Sequence, residues 1–392
     1  IMKPSVTIGL ENLIHTPLGF LAGRKLGLVC NSASVDRTFT HAAHLIDRHF
    51  PGQLTTLFSP QHGFHAEKQD NMIESSHGVE PCLGLPIYSL YGETRIPTPV
   101  MFENLDILLV DIQDVGTRVY TFIYTVSYCK ETAAALGKSV VILDRPNPIN
   151  GIQVEGNLLE AEYASFVGRL PLPMRHGLTI GEICRMINET AGIGCDLTVI
   201  PMKGWTRNMY WPMTGRVWIP PSPNLPTPLS AMVYPGQVVF EGTNISEGRG
   251  TTLPFEQFGA PFLDTSAIKV AIDPLVQGVC LRPVQFEPTS GKWSRQVCKG
   301  FHIHVTDPLV FKPYLSSLLL LQLIIQHHGD RFEFKPPPYE YEFEKLPMDL
   351  ILGSRSLREW ITAQKNLLEA ADQWQEMLTA FIALSRKFYL YE

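Results

Sequence analysis

The chain has no Cys-x-x-Cys pair, no surplus of basic residues and no apolar run long enough for a bilayer. Each absence excludes a class of function. The seven cysteines (30, 82, 129, 184, 195, 280 and 298) are odd in number and lack paired spacing. That argues against a zinc finger or disulfide scaffold and for buried free thiols in a reducing compartment. The net charge of −6 gives no general affinity for nucleic acid or an anionic membrane. The most apolar stretch, Leu315 to Ile325, is interrupted by Ser316, Ser317 and Gln322 and reads as a core helix rather than a transmembrane segment. No apolar segment follows Ile1-Met2-Lys3-Pro4, so a cytoplasmic location is expected, or a periplasmic or secreted one if a signal was removed. Nucleotide-binding glycine loops, a G-x-S-x-G elbow, internal repeats and low-complexity tracts are also missing.

What is present is a globular composition, 45% hydrophobic and 18% charged over 392 residues, enough for two domains. The first half alternates β-branched runs with helical patterns, as a helix-wrapped parallel sheet requires. Expected strands are 25–30, 54–58, 85–90, 107–112, 139–143 and 196–200, with a helix over 121–136. Ile107–Ile112 and Val140–Leu143 are continuously apolar, as in strands buried on both faces. Thr179-Ile-Gly-Glu182 has the form of a capping box. The stretch 205–235, dense in proline and tryptophan, reads as an ordered irregular loop or lid. Near Asp264 the pattern changes to strands 279–286 and 300–305, a helix 314–327 and a closing helix 365–389. The expected fold class is α/β: a Rossmann-like parallel-sheet domain over 1–263 and a smaller α+β auxiliary domain over 264–392.

Each expected parallel strand ends in a polar loop: Asn31-Ser-Ala-Ser34, Ser59-Pro-Gln-His-Gly63, Gly92-Glu-Thr-Arg95, Asp111-Ile-Gln-Asp114 with Arg118, and Asp144-Arg-Pro-Asn147. In an open α/β sheet these ends line one rim, where ligands bind. Rim acids are Glu67, Glu74, Glu93, Asp111, Asp114 and Glu247. Glycines 242, 248 and 250 leave Asn244, Glu247 and Arg249 to project. Glycoside hydrolysis needs a proton donor and either a second carboxylate or help from the substrate's acetamido group. Asp111 reads equally as a brace for Arg118, and Glu93 with Arg95 reads as a surface ion pair. His62 and His65 near Asp111 and Asp114 lack a specific metal-ligand spacing, so no metal and no cofactor are expected.

The motifs Ser59-Pro-Gln-His-Gly63, Tyr91-Gly-Glu-Thr-Arg95, Asp111-Ile-Gln-Asp-Val-Gly116 with Tyr120-Thr-Phe122, and Leu143-Asp-Arg-Pro-Asn-Pro148 resemble one known family. So do Pro221-Ser-Pro-Asn224, Glu241-Gly-Thr-Asn-Ile-Ser-Glu-Gly-Arg-Gly-Thr251, Phe301-His-Ile-His-Val-Thr-Asp307 and Leu352-Gly-Ser354. It is the family first catalogued as domain of unknown function 1343, now glycoside hydrolase family 171, the exo-β-N-acetylmuramidases. The resemblance spans nearly the whole chain. It implies a cleft between two domains that releases N-acetylmuramic acid from the non-reducing end of peptidoglycan fragments without a cofactor.

One position departs from the family pattern, which usually reads Pro-Glu-His-Gly with the glutamate as favoured catalytic residue. Here it is Gln61, and an amide cannot serve as a general acid. The expected catalytic group is Glu67, Asp114, Gln61 and His62: an acid on the Glu67 loop or Asp114 donates the proton, while Gln61 holds the acetamido group. The expected substrate-binding group is Asp111, Arg118, Tyr120, Asn147, Asn224, Asn244, Glu247 and Arg249. Arg249 and Arg118, ahead of Arg175, are the anchors for a lactyl carboxylate. Two other classes stay open: a non-catalytic cell-wall sugar-binding protein, and a metal-dependent amino-sugar deacetylase built on His62 and Asp114.

Overall fold

The computed structural model describes residues 5–69 and 72–392. Their strands in chain order are β1 Leu26–Cys30, β2 Leu54–Ser59, β3 Gly78–Glu80, β4 Leu85–Ser89, β5 Ile107–Asp111 and β6 Ser139–Leu143. Then come β7 Glu155–Leu158, β8 Pro173–Arg175, β9 Asp196–Ile200, β10 Gln257–Ala260, β11 Val279–Phe286 and β12 Cys298–Val305. Seven form one sheet in the order β3-β4-β2-β1-β5-β6-β9, parallel except for the antiparallel edge strand β3. Every residue of β1 and β5 is buried, which explains their unbroken apolar runs. Chain direction across the sheet reverses between β1 and β5, the doubly wound arrangement whose ligand crevices open at the strands' carboxyl ends.

The six parallel strands expected from the sequence form with ends shifted by at most one residue. The Thr179 capping box is made: Thr179 Oγ1 accepts from Glu182 N at 3.2 Å, and Glu182 accepts from Thr179 N at 3.1 Å. Leu315–Ile325 lies inside the helix Pro313–His328. All seven cysteines are free, five of them buried. Among the described residues, no helix is long and apolar enough to cross a membrane.

The stretch 205–235 needs correction. It is irregular only up to Thr227, after which Pro228–Gln237 is a helix with Pro235 inside it. Thr227 and Ser230 cap that helix and Pro228 occupies its first turn, where a missing N–H costs nothing. The prolines therefore start this helix as much as they break it.

A second sheet, β10-β12-β11, is antiparallel and begins at Gln257, ahead of the boundary expected near Asp264. One hydrophobic core runs from Phe58 and Val110 through Val238 and Phe258 to Leu318, Leu352 and Phe381, so the two halves share an interior. A separate cluster, from Ile8 and Leu45 to Leu143, covers the other face of the large sheet.

Arg118 lies across this junction. Its guanidinium is fully buried and donates to the backbone carbonyls of Asn157 (2.8 Å), Leu172 (2.9 Å), Ile351 (3.0 Å) and Leu352 (2.7 Å). Burial lowers its pKa, yet the carbonyls hold the charge where no carboxylate is bonded to it. Arg118→Met should therefore cost on the order of 3 kcal/mol or more in denaturant unfolding, because buried carbonyls lose charged donors. An unchanged unfolding midpoint, with loss confined to substrate affinity, would show that Arg118 is an anchor for the substrate instead.

Candidate active site

The pocket forms where the loops after β2 and β5 meet the segment from Pro221 onward and a late loop of the C-terminal half. Gln61 and His62 follow β2, while Val119, Tyr120 and Thr121 precede the helix Phe122–Ala135. Gly116 lets the β5 loop turn: its φ is +77°, and a Cβ there would sit 2.5 Å from Asn147 Oδ1. Asn224, Tyr234, Glu241 and Arg249 contribute a third side, and Tyr339 with Glu340 completes the wall.

Glu340 is the chemical centre of this arrangement. Only 4% exposed, it accepts from Tyr91 OH at 2.5 Å through Oε2 and from Gln61 Nε2 at 3.1 Å through Oε1. Gln61 is oriented in turn by Thr121, whose hydroxyl donates to its Oε1 at 2.6 Å. Burial, reinforced by the nearby Glu241 charge, raises the Glu340 carboxyl from 4.5 to about 7, although the Tyr91 and Gln61 bonds oppose the rise. Glu340 and His62 both have positive φ (47° and 75°), a backbone cost that clusters at functional sites.

Glu241 has a different environment. It pairs with Arg249 Nη2 at 2.7 Å and accepts from Tyr339 OH at 2.7 Å. Burial opposes the Arg249 charge, but Glu241 and Glu247 outweigh it and raise the guanidinium's pKa. Glu247 is held ionised, against burial, by Lys292 at 2.8 Å and by Arg249 at 3.4 Å. His62 Nδ1 lies 2.6 Å from the carbonyl of Lys68, which assigns the proton to Nδ1 and leaves Nε2 an acceptor. Burial, with Arg249 adding to it, depresses His62 to about 4, so it is neutral at pH 7.

Of the residues expected from the sequence, the pocket gathers Gln61, His62, Tyr120, Asn224 and Arg249. The others lie elsewhere. Asp111 is locked in a two-point pair with Arg145 at 2.6 and 2.7 Å. Asp114 accepts from Gly116 N at 2.8 Å and lies 3.5 Å from His176 Nε2. Arg118 braces backbone, Asn147 donates to Leu178 O at 3.0 Å, and Asn244 donates to Arg331 O at 2.8 Å. Glu247 supports Arg249 from behind, and Arg175 donates to the Ile149 carbonyl. Glu67 is exposed on the loop after β2, its carboxylate folded against Gly63.

Sequence reasoning missed Glu340, Glu241, Tyr91 and Tyr339 as site residues. The available signal was Tyr339-Glu-Tyr-Glu342 directly after the prolines: aromatics alternating with acids mark an ordered wall better than a linker. Nor do His62 and Asp114 make a metal centre. Among the described residues, the one group of three potential ligands is His44, Glu80 and Cys82, none of which lines the pocket.

The pocket encloses about 30 Å³, room for about one water molecule. Asn224 Nδ2, bonded to Gln69 O at 2.8 Å, spans one part of its wall.

Residues 26–229 match the family described as exo-β-N-acetylmuramidase NamZ, N-terminal, and residues 232–391 match its C-terminal counterpart. This chain belongs to the NamZ family. It is 38% identical to peptidoglycan β-N-acetylmuramidase NamZ of Bacillus subtilis over 390 residues, 99% of this chain and 92% of that protein. A DUF1343 family protein from Bacteroides fragilis has the same fold, with TM-score 0.89 and 32% identity over the whole of both chains. A second protein of that name from the same organism gives TM-score 0.76 and 28% identity over 99% of each chain.

The raised Glu340 pKa has a consequence for stability. Between about 4.5 and 7 the unfolded chain binds fewer protons at this carboxyl than the folded one, so stability falls as pH rises through that window. Asp144, buried and raised to about 7, acts in the same direction. In Glu340→Gln, the drop in melting temperature from pH 4.5 to pH 7 should shrink, while the share of Asp144 and of the other buried carboxyls raised by burial, Glu155, Glu182 and Glu256, remains; an undiminished drop would reject the perturbed carboxyl.

Proposed function

We propose that this chain is an exo-acting glycosidase that releases terminal β-linked N-acetylmuramic acid from peptidoglycan fragments. Family membership and the muramidase name of the B. subtilis relative support the substrate class. The observation that carries the chemistry is a buried carboxyl poised near pH 7 at the position facing Gln61. General acids work best with a pKa near the operating pH, and a carboxyl among uncharged donors reaches it.

Glu340 protonates the glycosidic oxygen as the C1–O bond breaks. The acetamido oxygen of the sugar attacks C1 as internal nucleophile, with its N–H directed to Glu241, the second carboxylate of the pocket. Water then opens the cyclic intermediate and returns a proton to Glu340. Gln61 is a positioning residue: it ties Thr121 to Glu340 and fixes the acid's orientation. Two carboxylic groups in contact would compete for one proton, so an amide here leaves Glu340 as the sole acid of the pair. Arg249, steadied by Glu241 and Glu247, meets the lactyl carboxylate.

Glu340→Gln should lower kcat on a chromogenic N-acetylmuramide by at least about 10²-fold, and Glu67→Gln should leave it within about twofold. The reverse pattern would return the acid to the Glu67 loop. The kcat should fall as pH rises through about 7, where Glu340 loses its proton. A second reading, a sugar-binding protein without turnover, rests on Gln61 at the family's usual glutamate position. Calorimetric binding of muropeptides with no product released would favour it.

A further inference from the structure

A cluster of metal-ligating side chains lies at the edge of the large sheet, away from the Glu340 pocket. His44 comes from the helix Ala42–His49, which packs beside β1 and β2. Glu80 ends β3, and Cys82 stands in the turn that joins β3 to β4. Glu80 pairs with Leu85, the first residue of β4, so the cluster sits at the amino end of the parallel strands. The Glu340 pocket opens at their carboxyl ends and shares no residue with the cluster. No short-range spacing marks His44 with Glu80 and Cys82; the fold brings them together.

The three side chains face one another. His44 Nε2 stands 4.0 Å from Glu80 Oε1. With Cys82 Sγ included, one ligand atom from each of the three lies within 4.8 Å of the other two. Around a tetrahedral zinc ion, nitrogen and oxygen ligands about 2.1 Å from the metal stand about 3.4 Å apart, so small side-chain rotations close the site.

Two observations set this cluster apart from a chance meeting of polar groups. Glu80 is only 7% exposed, yet its single ion-pair contact among the described residues is His44, which is neutral unless protonated. A buried carboxylate without a fixed positive partner is costly, and a divalent cation supplies that charge. The carboxylate is also pre-set. Its Oε2 accepts from Leu83 N at 2.6 Å, and Gly84 N donates to the Glu80 carbonyl at 2.8 Å, which closes the turn. Oε1 is left toward His44, and such outer hydrogen bonds are what orient ligating carboxylates.

The cluster is open to solvent, because Cys82 is exposed and the His44 side chain is 37% exposed. His41 does not complete the ligand set. Its ring meets that of His44 edge-on at 6.4 Å, but its Nε2 lies 2.9 Å from Asn31 O and its Nδ1 accepts from Ala43 N at 3.3 Å.

We propose that His44, Glu80 and Cys82 bind a zinc ion with water in the fourth position, as a clip between the helix Ala42–His49 and the β3–β4 turn. An imidazole, a carboxylate and a thiolate are the ligand types that zinc takes, whereas magnesium and calcium take oxygen. The Cys82 thiol proton leaves to solvent as the zinc–sulfur bond forms. The clip ties down β3, a three-residue edge strand.

The test is titration of the reduced, metal-free full chain with cobalt(II), whose thiolate charge-transfer absorption reports sulfur ligation, followed by displacement with zinc. Saturation at one equivalent per chain is expected, both in the wild-type chain and in Cys280→Ser, which removes the other exposed cysteine. Cys82→Ser should abolish the absorption. His44→Gln should weaken metal binding at least about tenfold, since even an outer partner of a ligand is worth that much. Zinc should raise the melting temperature of the wild-type chain and leave that of Cys82→Ser in place. Absence of the absorption, its survival in Cys82→Ser or its loss in Cys280→Ser would overturn the proposal, as would a wild-type melting temperature that zinc does not move. If His44→Gln fails to fold, the exposed Cys82→Ser decides by itself.

Discussion

A single guanidinium, buried without a carboxylate bonded to it, sets the geometry on which the catalytic pocket rests. Arg118 belongs to the loop after β5, and the carbonyls it holds belong to β7, to the residue before β8 and to the end of the helix Pro347–Leu352. A buried ion is tolerated only where polar partners surround it, and four backbone carbonyls do so here. That demand fixes the C-terminal half against the sheet, and the C-terminal half carries Glu340. Displacing the Arg118 carbonyls would separate an acid near the end of the chain from an amide 279 residues earlier.

Within the pocket, contrast between neighbouring carboxylates matters more than the presence of either. Glu241 faces Arg249 and a tyrosine hydroxyl, whereas the partners of Glu340 are the uncharged Tyr91 and Gln61. Burial among uncharged donors favours the neutral acid at Glu340. Gln61 belongs to this logic. The residue that breaks the family pattern donates a hydrogen bond to Glu340 where a second carboxylate would repel.

The parallel strands, the Thr179 cap and the long helix at 313–328 were legible because short-range rules produce them. Apolar runs of the right length form buried strands, and a threonine three residues before a glutamate caps a helix. Gln61, His62 and Tyr120 come to one pocket for a related reason, since the loops at one sheet rim converge in a doubly wound fold, and Asn224 and Arg249 join them from the segment between β9 and β10. Arg118 and Asp111 are engaged with protein partners instead, and a polar residue at a rim reads the same whether it faces a ligand or braces the structure. Only the partners distinguish these roles, and the partners are far away in the chain.

The amino-acid order by itself determined which segments are strands, which family the chain resembles, and that its signature position carries an amide. Tertiary structure alone decided that a carboxyl from late in the chain packs against that amide. Glu340 sits in a short aromatic–acid alternation after a proline run, which marks an ordered segment but not its neighbours, and its protonation is a property of burial beside Tyr91, Gln61 and Glu241. Desolvation depends on what surrounds a group in space, and no local pattern encodes that.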